Sequence, residues 1–146
     1  MADIASKTRI ASDGDRDAVI ALWQACDLTR PWNDPVADFD RALATSMSDI
    51  LVFHDRDVLI ASVMVGYDGH RGWVYYLAVH PEHRRKGLGR DMMVAAEAWL
   101  RGRDAPKIQL MVRSDKADVI AFYEAFGMER QDVVTLGRRL DGESQV

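Results

Sequence analysis

The sequence predicts an α/β (α+β) fold built on a mixed, mostly antiparallel sheet. Three observations carry that reading. Two apolar, β-branched runs, Ile50 to His54 and Val58 to Tyr67, are separated by Asp55-Arg56-Asp57 in the manner of an antiparallel hairpin. A third run, Trp73 to Val79, follows the turn Asp68-Gly69-His70-Arg71-Gly72 and extends the hairpin to a meander. Helical periodicity lies on both sides of that meander, which gives the order β-α-α-β-β-β-α-β-α-β and a crossover helix that can return the chain parallel to its predecessor.

Taken in order, Lys7 to Ala11 reads as a short strand, and Ser12-Asp13-Gly14-Asp15 supplies helix-start oxygens. Ala18, Val19, Leu22, Trp23 and Cys26 then recur at helical spacing, which predicts an apolar face on a helix from about Asp15 to Cys26. Asp34-Pro35 is a second start, with Asp as cap acceptor and Pro where a missing N–H costs nothing; Val36, Phe39, Leu43 and Met47 line its face. Trp32 lies in the connecting loop and reads either as a lid folded on the core or as a substrate contact. After the meander, Leu88, Met92, Ala95, Ala96 and Trp99 form the stripe of a helix to Arg101, which Gly102 terminates. Ile108 to Val112 is a strand, Ala117 to Phe126 a helix with Gly127 as left-handed cap, and Val133 to Leu140 a last strand.

The chain has 146 residues, enough for one ordinary domain, with 48% hydrophobic and 29% charged residues and a net charge of -4. Without repeats or a long linker, 1–146 is read as one domain with looser ends at 1–6 and 141–146. No apolar run approaches the roughly 20 residues of a membrane span, and the first residues lack the apolar core of a secretory signal, so a cytoplasmic location is expected. Cys26 is the only cysteine, which excludes an intramolecular disulfide and a cysteine-rich zinc site.

Within this acidic chain, Arg84, Arg85, Lys86 and Arg90 stand against Glu82 alone between His80 and Arg90. Arg84-Arg85-Lys86-Gly87-Leu88-Gly89 joins an apolar strand to a helix start. Unpaired N–H donors, the positive end of the helix dipole, two glycines and four cations suit a diphosphate. A lone G-x-G is more often just a tight turn, but the strand before it, the helix after it and the surrounding base reverse that preference. The third glycine of a dinucleotide fingerprint is missing, and no G-x-x-x-x-G-K-[ST] occurs, which disfavours NAD and ATP. His80 and His83 flank Glu82 without a third ligand in pattern, so no metal site is expected. A G-x-S-x-G elbow is absent, and the confined basic patch argues against nucleic acid.

The run Leu77 to Gly89 resembles motif A of the GNAT acetyltransferases, whose loop binds the coenzyme A pyrophosphate, and Ala121-Phe122-Tyr123-Glu124-Ala125-Phe126-Gly127-Met128 is similar to that family's motif B. Leu22-Trp23, Cys26-Asp27-Leu28, Arg30 to Pro35 and Gly66 to Gly72 resemble the bacterial YpeA-type branch. The resemblance covers essentially the whole chain. It implies the GNAT fold, with a central sheet of about six to seven strands flanked by helices and a parallel strand pair that splays apart at the coenzyme site. Four helices are read here.

It implies further that Arg84, Arg85, Lys86, Gly87, Leu88, Gly89 and Arg90 hold the pyrophosphate. Leu77, Ala78 and Val79 offer strand-edge hydrogen bonds to the pantetheine arm, and the Val79 N–H polarises the thioester oxygen. Tyr123 aligns with the general acid that protonates the leaving thiolate, a role a phenol of pKa about 10 can fill at neutral pH. The alternative for Tyr123 is a packed core aromatic. Lys116 stands where many members have an Asn on the pantetheine arm, and a lysine there reaches a coenzyme phosphate instead.

The strand position that carries a catalytic Glu in several relatives is Trp73. An amine acceptor must still lose a proton, which leaves water, Asp68, His70, Tyr75 or Tyr76 as candidates. Candidate acceptor contacts are Trp32, Asn33, Tyr67, Asp68, His70 and Tyr75. The reading is an acetyl-CoA-dependent N-acetyltransferase with direct transfer to a primary amine of a small molecule or protein. The alternative is a catalytically weak acyl-CoA-binding sensor or assembly module of the same fold. No nucleic-acid or membrane partner is expected, and the chain is read as a monomer or homodimer, a final strand such as Val133 to Leu140 being able to pair across a twofold axis.

Overall fold

The computed structural model describes residues 4–142. Of the two ends expected to be loose, 1–3 and 143–146 lie outside the described residues, while Ala5–Lys7 forms a turn of 3-10 helix. The chain forms two compact units, the first running to Leu110 and the second beginning at Met111.

In the first unit, β1 (Arg9–Ile10), β2 (Ser48–Asp55), β3 (Val58–Tyr67), β4 (Gly72–Val79) and β5 (Ile108–Gln109) form one sheet in the order β1-β2-β3-β4-β5. The first four are antiparallel neighbours, and β5 joins β4 in parallel. The mixed sheet, the meander and the crossover helix agree with the sequence reading. The parallel pairing covers only Gly72 with Ile108 and Trp73 with Gln109.

The strand expected at Val133 to Leu140 does not form, so the described residues hold a sheet of five strands and not six or seven. Val133, Val134, Leu136 and Leu140 are between 74% and 94% exposed. These side chains gain no burial, so nothing compensates the entropy of extending the segment. The strand expected at Ile108 to Val112 is likewise reduced to two residues.

Two helices cover one face of the sheet. Ahead of α1 (Arg16–Ala25), Asp15 and Ser12 form a capping box, and Arg9 grips the Asp15 carboxylate through two hydrogen bonds of 2.7 and 2.8 Å. Helix α2 (Pro35–Leu43) starts as predicted. Asp34 Oδ1 accepts from the N–H groups of Val36 and Ala37, with Pro35 at the first helical position. The helix ends before Met47, which is 45% exposed and not part of its buried face. Val19, Ile20, Leu22, Trp23, Phe39 and Ala42 pack with Ile50, Val52 and Ala78 into one half-core. Fully burying each large apolar side chain contributes roughly 1.5–3 kcal/mol.

The alternate residues Leu51, Phe53, Ala61, Val63 and Val65 are also buried, and α3 (Leu88–Arg101) packs on β3 and β4 through a stripe that includes Met92, Ala95, Ala96, Trp99 and Leu100. That approach needs a glycine in the strand, since a Cβ at Gly72 would lie 2.5 Å from Leu100 Cδ2. At the far end of α3, Trp99 Nε1 donates to Asp49 Oδ2 at 2.9 Å, and the Arg103 guanidinium lies 3.4 Å over the indole. Gly102 caps α3 as expected but in right-handed geometry; the left-handed residue is Asp104. Among the described residues no helix is long and apolar enough to cross a membrane.

In the second unit, α4 (Ala117–Ala125) ends in a Schellman motif. Gly127 sits at φ +101°, its N–H donates to Glu124 O, and the Met128 N–H reaches back to Tyr123 O. This cap is the one the sequence predicted.

Candidate functional site

The site begins where β4 stops. The His80 N–H donates to Ile60 O at 2.8 Å, which makes the Ala61–Val79 pair of the non-hydrogen-bonded type. The Val79 N–H therefore points away from β3, toward the side of β4 where parallel pairing has ended at Trp73. By alternation Leu77 presents its backbone to the same edge, while the backbone of Ala78 turns into the ladder with β3. The Val79 carbonyl is held by two donors, Cys26 Sγ at 3.2 Å and Arg84 Nε at 3.3 Å.

Beyond Val79 comes the 3-10 turn Pro81–His83, started by His80, whose Nδ1 accepts from the Glu82 N–H at 3.2 Å. His80 is thus a turn cap, and its ring meets His83 edge to face. Arg85 and Gly87 then both adopt left-handed backbone, at φ +65° and +78°. A left-handed Gly87 followed by the helical Leu88 makes consecutive N–H groups converge, the geometry of an anion nest. At the start of α3 the first N–H groups have no carbonyl a turn earlier to donate to, and the helix dipole adds positive potential. A Cβ built at Gly87 meets nothing within 4 Å, so the cradle is open to an incoming group. Arg84, Arg85, Lys86 and Arg90 are exposed around it, and Leu88 anchors the turn in the core. The donor set and the open loop fit a diphosphate.

The other predicted residues divide between the units. In the first, Asn33 donates its N–H to Arg30 O within the α1–α2 loop, where Trp32 is half-buried. Tyr67 closes β3, with its N–H on Met47 O. The turn after it is pinned by Asp68, which accepts from the N–H groups of His70 and Arg71 at 2.8 and 2.7 Å and from Trp73 Nε1 at 3.1 Å. Those backbone N–H groups hold the Asp68 carboxyl below its ordinary range, which makes it a poor proton acceptor. Tyr75 is 43% exposed, and partial burial, then the Asp68 charge, pushes its hydroxyl up.

Tyr76 is spent on structure. Its hydroxyl donates to Asp38 Oδ2 at 2.7 Å, and burial first, then that bond, raises it well above the tyrosine range. Of the side chains considered for proton removal, His70 sits exposed on the turn.

In the second unit, Lys116 is exposed at the N-cap of α4, and Tyr123 lies on that helix, partly buried. Burial pushes the Tyr123 hydroxyl up to about 12, so it stays a proton donor throughout the neutral range.

Sequence reasoning did not anticipate the Tyr76–Asp38 and Cys26–Val79 contacts. Partners 38 and 53 positions apart leave no mark in local periodicity.

Residues 17–128 match the acetyltransferase (GNAT) family model. An acetyltransferase of Pectobacterium atrosepticum is 47% identical over 132 residues, which is 90% of this chain and 94% of that one. Among solved structures, an aminoglycoside 6'-N-acetyltransferase from Acinetobacter haemolyticus superposes with a TM-score of 0.74 at 19% identity, covering 92% of this chain and 99% of that one. An aminoglycoside N-acetyltransferase in complex with CoA gives 0.77 at 14% identity, covering 91% and 93%.

Proposed function

The chain belongs to the acetyltransferase (GNAT) family, and we propose that it transfers an acetyl group from a coenzyme A thioester directly to a primary amine of a small molecule or a protein. The observation that carries this reading is the left-handed Gly87 loop at the start of α3, one turn beyond the outward-facing N–H of Val79. Acetyl-CoA would supply the activated acyl group. The loop residues Arg84 to Arg90 bind its phosphates through backbone N–H groups and cationic side chains, with Gly87 and Gly89 leaving the backbone accessible. Leu77 and Val79 align the pantetheine arm along the strand edge, and the Val79 N–H is a fixed dipole aimed where negative charge develops on the acyl oxygen.

Tyr123 holds its proton at neutral pH and delivers it to the departing sulfur. The acceptor binds toward Trp32, Asn33, Tyr67, His70 and Tyr75. Its ammonium proton leaves through water or His70, because Asp68, Tyr75 and Tyr76 are unsuited to accept it. Positioning two bound partners and polarising one carbonyl provides the main rate enhancement.

Isothermal calorimetry tests the binding half. Acetyl-CoA should bind saturably to the wild type and fail to bind a folded Gly87→Glu or Gly89→Glu variant; a wild type blind to acetyl-CoA overturns the reading. Thiol release in the presence of a panel of amines tests turnover, and Tyr123→Phe should lower kcat more than it weakens coenzyme binding. A second reading, an acyl-CoA-binding module with little turnover, is favoured by one observation: the carboxylate beside the start of β4 is tied to three donors. Acetyl-CoA binding without thiol release from any amine or protein in the panel would select it.

A further inference from the structure

We propose that Tyr76 is a positioning residue: stacked on Trp23 and hydrogen-bonded to Asp38, it holds a left-handed kink in β4 that sets the direction of the edge Leu77 to Val79. The inference rests on the coenzyme reading above for its consequence, since that edge is the one assigned to the pantetheine arm. The kink itself is geometry on the page.

Tyr76 stands at φ +52° inside a strand, a conformation that is unfavourable for any residue with a Cβ. The pairing of β3 with β4 shifts register there, from Met64 opposite Tyr75 to Ser62 opposite Ala78. Such a residue keeps its conformation only where its surroundings over-determine it. Here they come from both helices of the half-core. The Tyr76 ring lies 4.0 Å from that of Trp23 at an interplanar angle of 9°, and Trp23 on α1 is fully buried. The hydroxyl donates to Asp38 on α2, and Asp38 is itself bridged to Arg41 at 3.1 Å. Beyond the kink, the Cys26 thiol ties α1 to the Val79 carbonyl.

These ties matter because β5 pairs with β4 only as far as Trp73. From Val74 onward no strand on the outer side guides β4 among the described residues. Together with the pairing that β4 resumes with β3 at Ala78 and Val79, the kink and its anchors therefore set where the N–H groups of Leu77 and Val79 point. Substitutions at Tyr76 or Asp38 should accordingly affect the pantetheine half of the coenzyme site and spare the phosphate loop, which α3 organises separately.

Two measurements on purified protein test this. Tyr76→Phe keeps the stack and removes the hydrogen bond; Asp38→Ala removes the acceptor, and Asp38→Asn restores one of the same shape. Amide hydrogen exchange should accelerate at Leu77 to Val79 in Tyr76→Phe and Asp38→Ala, stay near wild type in Asp38→Asn, and remain unchanged at Ile50 to Phe53. Unchanged exchange at Leu77 to Val79, or equal acceleration across the sheet, overturns the proposal. Calorimetry should show acetyl-CoA affinity falling about tenfold in Tyr76→Phe, as loss of a hydrogen bond to a charged group allows, while 3'-phosphoadenosine 5'-diphosphate, the nucleotide half of the coenzyme, binds as before. Equal weakening of both ligands contradicts a role confined to the kink. A wild type that ignores acetyl-CoA overturns the coenzyme reading instead, and the exchange pattern then judges the kink by itself.

Discussion

The indole of Trp73 donates to the carboxylate of Asp68 at 3.1 Å, which ties the first turn of β4 to the loop before it. Trp73 stands at the strand position that the family resemblance assigns to a base in several relatives, and its partner Asp68 is a carboxylate of the preceding turn. With two backbone N–H groups also on Asp68, that carboxyl is held low and its oxygens are engaged. The relationship separates a turn anchor from a base. Asp68→Asn should leave the acid limb of the kcat/KM pH profile where it is and lower kcat by less than about tenfold, below the 10²–10⁴-fold typical of a lost general base. A larger loss with a displaced acid limb would restore Asp68 as the base. His70→Asn is the companion variant, expected to move that limb if His70 carries the proton.

The phosphate loop makes a prediction about backbone and not side chain. Gly87 is left-handed with open space where a Cβ would stand, so Gly87→Ala meets no clash and loses only conformational ease. Such a residue costs roughly 1–2 kcal/mol. Thermal unfolding should show that loss for Gly87→Ala and a smaller one for Gly87→Asn, since Asn tolerates the left-handed region better. Weaker acetyl-CoA binding should accompany both.

Acid should weaken the start of α1. The Arg9 guanidinium, together with the Ser12 N–H, holds the Asp15 carboxyl well below the usual carboxylate range against the opposing effect of burial. The folded state thus binds fewer protons at Asp15 than the unfolded chain does. Its contribution is present in full above about pH 4, the unfolded value, and is lost as pH falls below that. Asp15→Asn should therefore lower Tm near neutrality and converge with the wild type at the acid end of the folded range. Parallel Tm curves across that range would contradict the assignment.

At Gly72 the limiting factor is space. A Cβ 2.5 Å from Leu100 Cδ2 must displace either α3 or the leucine, so Gly72→Ala should cost about 1–3 kcal/mol by overpacking. Leu100→Ala alone should cost about 2–5 kcal/mol by leaving a cavity. The double variant should be more stable than the sum of the two losses predicts, because the methyl enters the space the leucine vacated. Additive losses in denaturant titrations would show that the two sites do not share that space.

Features that depend on neighbours in the chain can be read directly from the residues. The Asp34-Pro35 cap, the meander, the α3 stripe and the left-handed Gly127 were all legible because caps, period-two runs and glycine turns are local chemistry. So was the Gly87 cradle, whose strand, glycines, cations and helix start lie within one short stretch, and whose family resemblance carried the coenzyme reading. Where β4 bends, which carboxylate is occupied and which expected strand does not form among the described residues are set by contacts in space. The kink at Tyr76 depends on Trp23 and Asp38 from two distant helices, and Asp68 was removed from the candidate bases by the donors its turn folds onto it. Val133 to Leu140 has the composition of a strand, yet no strand forms there among the described residues. A strand is completed only by hydrogen bonds to another strand, and a tyrosine becomes an anchor only when its acceptor is brought to it; both conditions are met in space and leave no pattern along the chain.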